Sequence, residues 1–427
     1  MVKQSLWFRL PLAILTLFAV GLTQSSSISP ASLTTSMLGN EIVISDLTSD
    51  DLFPNIAYNS IHDEYLVVWE SVWPELPRSI YAQRISANGR LLGMFLVASN
   101  TNNQIYPDVA YDPIKDRYLV VFAYDYWGDG SDWDIYGRFI PWNGPDPNLL
   151  DFAICTWPTN QMSPSVAFAY SAEEFMVTWT NFPVGEPSYI GARRVYSTGG
   201  FPPGYGFIVS IGTESRGNSD VAYNLARNEY LVIWQLDKDL TLGDIAGVRF
   251  DSSGEPLSGG NPHQVGEFSI AGWPDFEERP AIASCHNADQ YMVVWQSNGG
   301  IGGSSIYARY LSGGADLGSV QLVRSTTTPN FDADIACDAL GKKYLIVWTE
   351  SYVSGGKGIW ARFVHPNGNL DPAFEVVAGS LLEHRSQPAV MGGKTNFMTA
   401  WQHLGTNPTD IHGILVGYFL YLPFVIK

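Results

Sequence analysis

One phrase recurs seven times along the 427 residues and restricts the fold more than any other feature. It begins with an apolar run that closes on an aromatic residue: EYLVVW to Trp69, RYLVVF to Phe122, EFMVTW to Trp179, EYLVIW to Trp234, QYMVVW to Trp295, KYLIVW to Trp348 and NFMTAW to Trp401. Successive anchors lie 53, 57, 55, 61, 53 and 53 residues apart. A fixed period of this size defines a repeat architecture in which neighbouring copies bury one another. Each copy holds four strand-like pieces. In the first they are PNIAYN, EYLVVW, IYAQRI and MFLVAS, rich in β-branched and aromatic residues and separated by Asp, Asn, Gly and Pro. Helical periodicity is absent beyond the N-terminal region.

Four antiparallel strands per repeat without helices predict an all-β fold, a seven-bladed β-propeller of four-stranded antiparallel blades. Closing the ring removes exposed strand edges. The seventh copy runs from Ile411 into the C-terminal tail and lacks a fourth strand, whereas EIVISDL, starting at Glu41, precedes the first copy. The last blade is therefore expected to be closed by this N-terminal strand. An aromatic anchor in every copy reads as a wedge between blades, because a core needs sevenfold copies and a binding site rarely does. The same argument makes Arg84, Arg138, Arg193, Arg249, Arg309 and Arg362 parts of the blade faces, their stems packed.

Lys3 and Arg9 with the apolar run Leu10 to Leu22 read as an export signal. The expected organisation is a signal peptide over 1–24, a polar linker over 25–40, the propeller over 41–420 and a hydrophobic tail over 421–427. The mature chain is expected to be secreted or held at the cell envelope, not inserted in a membrane, and monomeric. A net charge of −18 without a Lys/Arg cluster argues against nucleic acid as a partner. Cys155, Cys285 and Cys337 are an odd set, and they read as small buried apolar residues.

The repeats resemble the LVVW…IYGQR-type repeats of exported bacterial β-propeller proteins, a group without an established common activity. The resemblance spans about residues 41–416, and it implies a fold rather than a function. The final YLPFVIK is similar to Tyr-Leu-Pro-apolar-basic tails of other exported bacterial proteins. Neither the Asp-box of sialidases nor the Gly-His and Trp-Asp signatures of WD-repeat propellers is matched.

Candidate chemistry lies in the longer loops of one rim. The second copy carries Asp125, Trp127, Asp129, Asp132, Trp133 and Asp134 within ten residues. Alternating acids with Gly suit an oxygen-ligand Ca²⁺ site, and Asp125, Asp129, Asp132 and Asp134 are its candidate ligands. An acidic turn that caps the blade is the plainer alternative. Trp73, Trp157 and Trp273 join Trp127 and Trp133 as candidate ligand-stacking residues, with Asp275, Glu277 and Glu278 nearby. His403 and His412 flank one loop of the seventh copy and could approach each other.

No Gly-x-Ser-x-Gly elbow, His-Glu-x-x-His helix or phosphate-binding Gly loop occurs. The reading from sequence is a non-enzymatic extracellular module that recognises a polysaccharide or protein through the loop-rich rim. The alternative is a carbohydrate-active hydrolase or lyase with carboxylates over the central channel, whose diagnostic spacing a sequence does not display.

Overall fold

The computed structural model describes residues 34–37, 39–204, 206–238, 243–259, 264–272, 275–285, 288–300, 303–405 and 408–419. The expected signal peptide and the C-terminal tail lie outside them. Every long element is a β-strand, and among the described residues no helix is long and apolar enough to cross a membrane. The strands form antiparallel meanders. In the first unit Asp50–Asn59, Glu64–Val72, Ser79–Ser86 and Leu91–Ala98 pair in sequence order. Among the described residues six hydrogen-bonded sheets result. The largest, of nine strands, contains two four-stranded meanders joined by one parallel bridge from Lys357 to His384, with one more short strand.

The last meander takes its fourth strand from the other end of the chain. Ile42 pairs with Gly413 and Val43 with His412. Ile411 then accepts the amide of Ile44 at 2.8 Å, and its own N–H donates to Ser45 Oγ at 2.9 Å.

Burial explains the sequence pattern. The second strand of each unit is covered on both faces, so EYLVVWES reads as one continuous buried run instead of alternating. The core is divided among clusters that each draw on two consecutive units. One of them joins the last unit to the first through Ile56, Tyr65, Trp69, Met398, Leu415 and Ile44. Each anchor aromatic sits in the cluster shared with the preceding unit: Phe122 with the first, Trp179 with the second, and so on to Trp401. Trp69, Trp179, Trp234, Trp295, Trp348 and Trp401 are fully buried, as is Phe122. The flat side chains fill the wedge between sheets, where each contributes several kcal/mol of burial.

Polar groups stitch the same seams. Arg138, Arg193, Arg309 and Arg362 each donate to a carbonyl on the outer strand of the preceding unit: Val97 at 2.9 Å, Ile154 at 2.6 Å, Ile270, and Val323 at 2.7 Å. These arginines therefore join units as well as packing along them. The cysteines require a correction. Cys285 and Cys337, at the ends of neighbouring innermost strands, form a disulfide with a Cα–Cα distance of 5.4 Å, and only Cys155 is a free buried thiol. At the equivalent end of other seams Asn59 donates to Asp116 at 3.5 Å and Asn224 to Asp289 at 3.0 Å, so the disulfide stands where a polar tie stands elsewhere.

Candidate functional site at the mouth of the central cavity

The innermost strands contact one another in succession, and the last, His384–Gly392, contacts the first. They enclose a cavity of about 580 Å³, within the range of roughly 300–1,000 Å³ typical of small-molecule sites. Every innermost strand is bulged at the same register, for instance between Leu52 and Asn55 and between Phe331 and Asp334. One residue in each bulge adopts a left-handed backbone: Phe53, Tyr106, Ser163, Asn218, Arg279, Asp332 and Gln387, with φ between 49° and 54°. This conformation is unfavourable for residues with a Cβ, and a bulge uses it to re-aim a side chain. All seven residues line the cavity.

The preceding unit supports this geometry. Tyr106 N–H donates to Glu70 Oε2 at 3.2 Å, Arg279 N–H to Gln235 Oε1 at 3.1 Å and Asp332 N–H to Gln296 Oε1 at 3.0 Å. Each acceptor directly follows a buried anchor tryptophan in sequence. The mouth is chemically uneven as a result. Phe53 and Tyr106 make an edge-to-face pair at 5.0 Å on one side. On the other, Arg279 and Asp332 form an ion pair, and they open into an adjoining pocket of about 440 Å³ shared with Lys357, Gln296, Gln387 and Gln402.

Two residues deeper than the left-handed position, alternate units carry Asp108, Asp220 and Asp334. Each reaches the next unit: Asp108 Oδ2 accepts the amide of Val166 at 2.8 Å, Asp220 Oδ2 that of Ile282 at 2.9 Å and Asp334 Oδ2 that of Val390 at 2.7 Å. Ser165, between the first two, donates its hydroxyl to Asp220 Oδ1 at 2.7 Å and also neighbours Asp108. Burial, reinforced by the charge of Asp220, pushes the Asp108 carboxyl up to about 7. Burial likewise lifts Asp334 to about 7 and raises Asp220, opposed by the Ile282 amide, the Ser165 hydroxyl and the Val221 amide, which favour its charged form. A carboxyl held near pH 7 can give a proton to a leaving group, and an ionised neighbour can take one from water.

The residues expected from sequence to form the site lie elsewhere and apart. Trp127 is 67% exposed and touches only Tyr126 among ring contacts of the described residues. Trp133 and Trp157 pack against the seam between the second and third units, and Trp157 abuts the anchor Trp179 at 5.8 Å. Trp73 lines a separate pocket of about 410 Å³ with Asp50 and Pro408. Trp273 falls outside the described residues. No ring contact among the described residues joins any two of these tryptophans.

Two acids of the Asp125–Asp134 loop are used locally. Asp125 is buried and accepts the amides of Gly128 at 2.9 Å and Gly130 at 3.1 Å. Asp129 accepts Ser131 N–H at 3.0 Å, while burial and then the charge of Asp132 raise Asp134 to about 7. Glu278, in the fifth unit, accepts Gln296 Nε2 at 2.8 Å and Asn298 Nδ2 at 2.7 Å. Among the described residues the group of three potential metal ligands that converges is Glu41, His403 and His412, not this loop.

No protein-family model and no curated protein sequence matches the chain. Solved structures do. The GH93 α-L-arabinofuranosidase of Fusarium graminearum in complex with arabinobiose superposes with a TM-score of 0.51 at 12% identity, over 90% of this chain and 98% of the enzyme. An α-L-arabinofuranosidase of the same fungus with an iminosugar inhibitor gives 0.50 at 11% identity, over 78% and 99%. The chain is thus a β-propeller, of the architecture used by those enzymes. The expectation of a non-enzymatic binding or scaffold module is corrected here. The matched propellers are α-L-arabinofuranosidases, enzymes and not binding modules.

Proposed function

We propose that the protein is a secreted carbohydrate-active hydrolase working at the mouth of a seven-bladed propeller. In this reading the four-stranded units are the blades, and Ile42–Val43 completes the last of them. The observation that carries the activity is the set of cavity aspartates, above all Asp108 and Asp220 on either side of Ser165. Glycoside cleavage needs one carboxyl that keeps its proton and one that has lost it. Asp108, pushed up to about 7, is the proton donor. Asp220, which accepts the Ser165 hydroxyl and two backbone amides, is the carboxylate that activates water or attacks the sugar. The Phe53–Tyr106 pair offers ring faces to a pyranose or furanose, and the Arg279–Asp332 side offers polar groups for its hydroxyls. The matched arabinofuranosidases make arabinose-containing glycans the first substrates to try. The disulfide between neighbouring units suits an oxidising, extracytoplasmic location.

The test is release of reducing sugar from a panel of arabinans, xylans and sialylated glycans by wild type and Asp108→Asn. Asparagine can still accept the Val166 amide, so the fold should persist. We expect turnover of at least one substrate and a loss of roughly 10²–10⁴-fold in the variant. Equal rates in both proteins, or no turnover of any glycan, would remove this reading.

A further inference from the structure

The strand that closes the last unit carries a cluster the hydrolase reading does not use. Glu41 precedes the closing pair Ile42–Val43, while His412 lies on the strand this pair joins and His403 on the next strand of the sheet. Glu41 Oε1 lies 2.9 Å from His412 Nδ1, and His412 Nε2 lies 3.1 Å from His403 Nδ1. One potential ligand atom from each residue falls within 4.8 Å of the other two.

Three buried atoms at or beside this cluster have no hydrogen-bond partner: His403 Nε2, Nε of Arg385, and Oδ1 of Asp410, which stands directly opposite His403 in the strand pair. Among the described residues the ion pairs place one cation at the cluster, Arg385, 3.7 Å from Glu41 and 3.4 Å from Glu383. It can therefore keep Glu383 as its partner if Glu41 turns elsewhere. Two imidazoles and a carboxylate with an open fourth position form a donor set suited to Zn²⁺, whose bonds to such ligands are about 2.0–2.2 Å.

We propose that Glu41, His403 and His412 bind one Zn²⁺ ion that ties the N-terminal strand to the last unit. Glu41 is distant in sequence from the two histidines, so the ion bridges the ends of the chain. A ligand bound only by the closed form stabilises that form by mass action.

The experiment is calorimetric titration of Zn²⁺ into the chelator-treated full chain, with melting temperatures recorded with and without the metal. Wild type should bind one equivalent and melt higher with zinc. His403→Gln and Glu41→Gln, at partly exposed positions, should each weaken binding at least about tenfold and lose the zinc-dependent rise. An Asp129→Ala/Asp132→Ala variant should behave as wild type, which separates this site from the acidic loop. Unchanged affinity in His403→Gln, the absence of zinc binding, or binding without a rise in melting temperature would each overturn the proposal.

Discussion

The seams between units and the mouth of the cavity are built on the same repeated register but filled in opposite ways. At the seam the register holds one chemistry: six tryptophans and a phenylalanine, all fully buried, with arginines reaching outer-strand carbonyls. At the mouth the backbone repeats just as faithfully, with a left-handed residue in every innermost strand. Its side chains are nevertheless Phe, Tyr, Ser, Asn, Arg, Asp and Gln. Where a repeat keeps its side chain, packing fixes it. Where it keeps only its backbone, the side chain is free to serve a ligand. The aspartates below the mouth combine both roles, since each ties two units together and also faces the cavity.

The largest effects should fall at the seams. Trp348→Ala should destabilise by about 3–5 kcal/mol in denaturant unfolding, because it leaves a cavity in the fully buried wedge. Trp127→Ala, on the exposed loop, should change stability by no more than about 0.5 kcal/mol. Similar values for the two would erase the distinction between anchor and rim tryptophans. Next in size, removing the Cys285–Cys337 bond by a double change to Ser should lower stability by about 2–4 kcal/mol, and it should abolish the difference between reduced and oxidised protein. An unchanged transition midpoint would mean that the polar ties at the other seams suffice.

A smaller effect sharpens the double role of the aspartates. Asp334 has a folded pKa raised from 3.8 to about 7. The folded state therefore holds its proton more tightly than the unfolded chain. The corresponding stability is fully present below about pH 4 and is lost as pH rises to about 7. Asp334→Asn keeps an acceptor for the Val390 amide and cannot ionise. It should flatten the decline in melting temperature between pH 4 and 7. An identical slope in wild type and variant would show that Asp334 is ionised throughout.

The fold was legible because the anchors declare the period and the continuous apolar runs declare buried strands. The unpaired end of the seventh copy and the spare EIVISDL segment likewise announced the pairing of Ile42–Val43 with the last unit. The site was less legible for two physical reasons. A bulge adds a residue without changing the apolar pattern, so nothing in FPNIAYN or FDADIACD announces that Phe53 and Asp332 turn into the cavity. Exposed aromatics with acids also resemble a binding loop in any sequence, although Trp133 and Trp157 prove to be seam packing. A signal was present in the second position of the repeated PNIAYN phrase, which reads Asn55, Asp108, Ser165, Asp220, Ala281, Asp334 and Ala389. Carboxylates on alternate copies of an otherwise apolar strand mark a polar interior. The Cys285–Cys337 pairing had no such signal, because the two residues occupy different positions of their repeats and meet only across a seam.

If Asp108 donates the proton in glycoside cleavage, the pH dependence of kcat/KM on a turned-over glycan shows it most directly. The Asp108 carboxyl is pushed up to about 7 by burial and by Asp220. The donor is therefore protonated below that value and progressively lost above it. The expected kcat/KM falls about tenfold per pH unit above roughly pH 7, with that limb absent from the residual activity of Asp108→Asn. A rate that holds level to pH 9, or a variant that keeps the same alkaline limb, would contradict it.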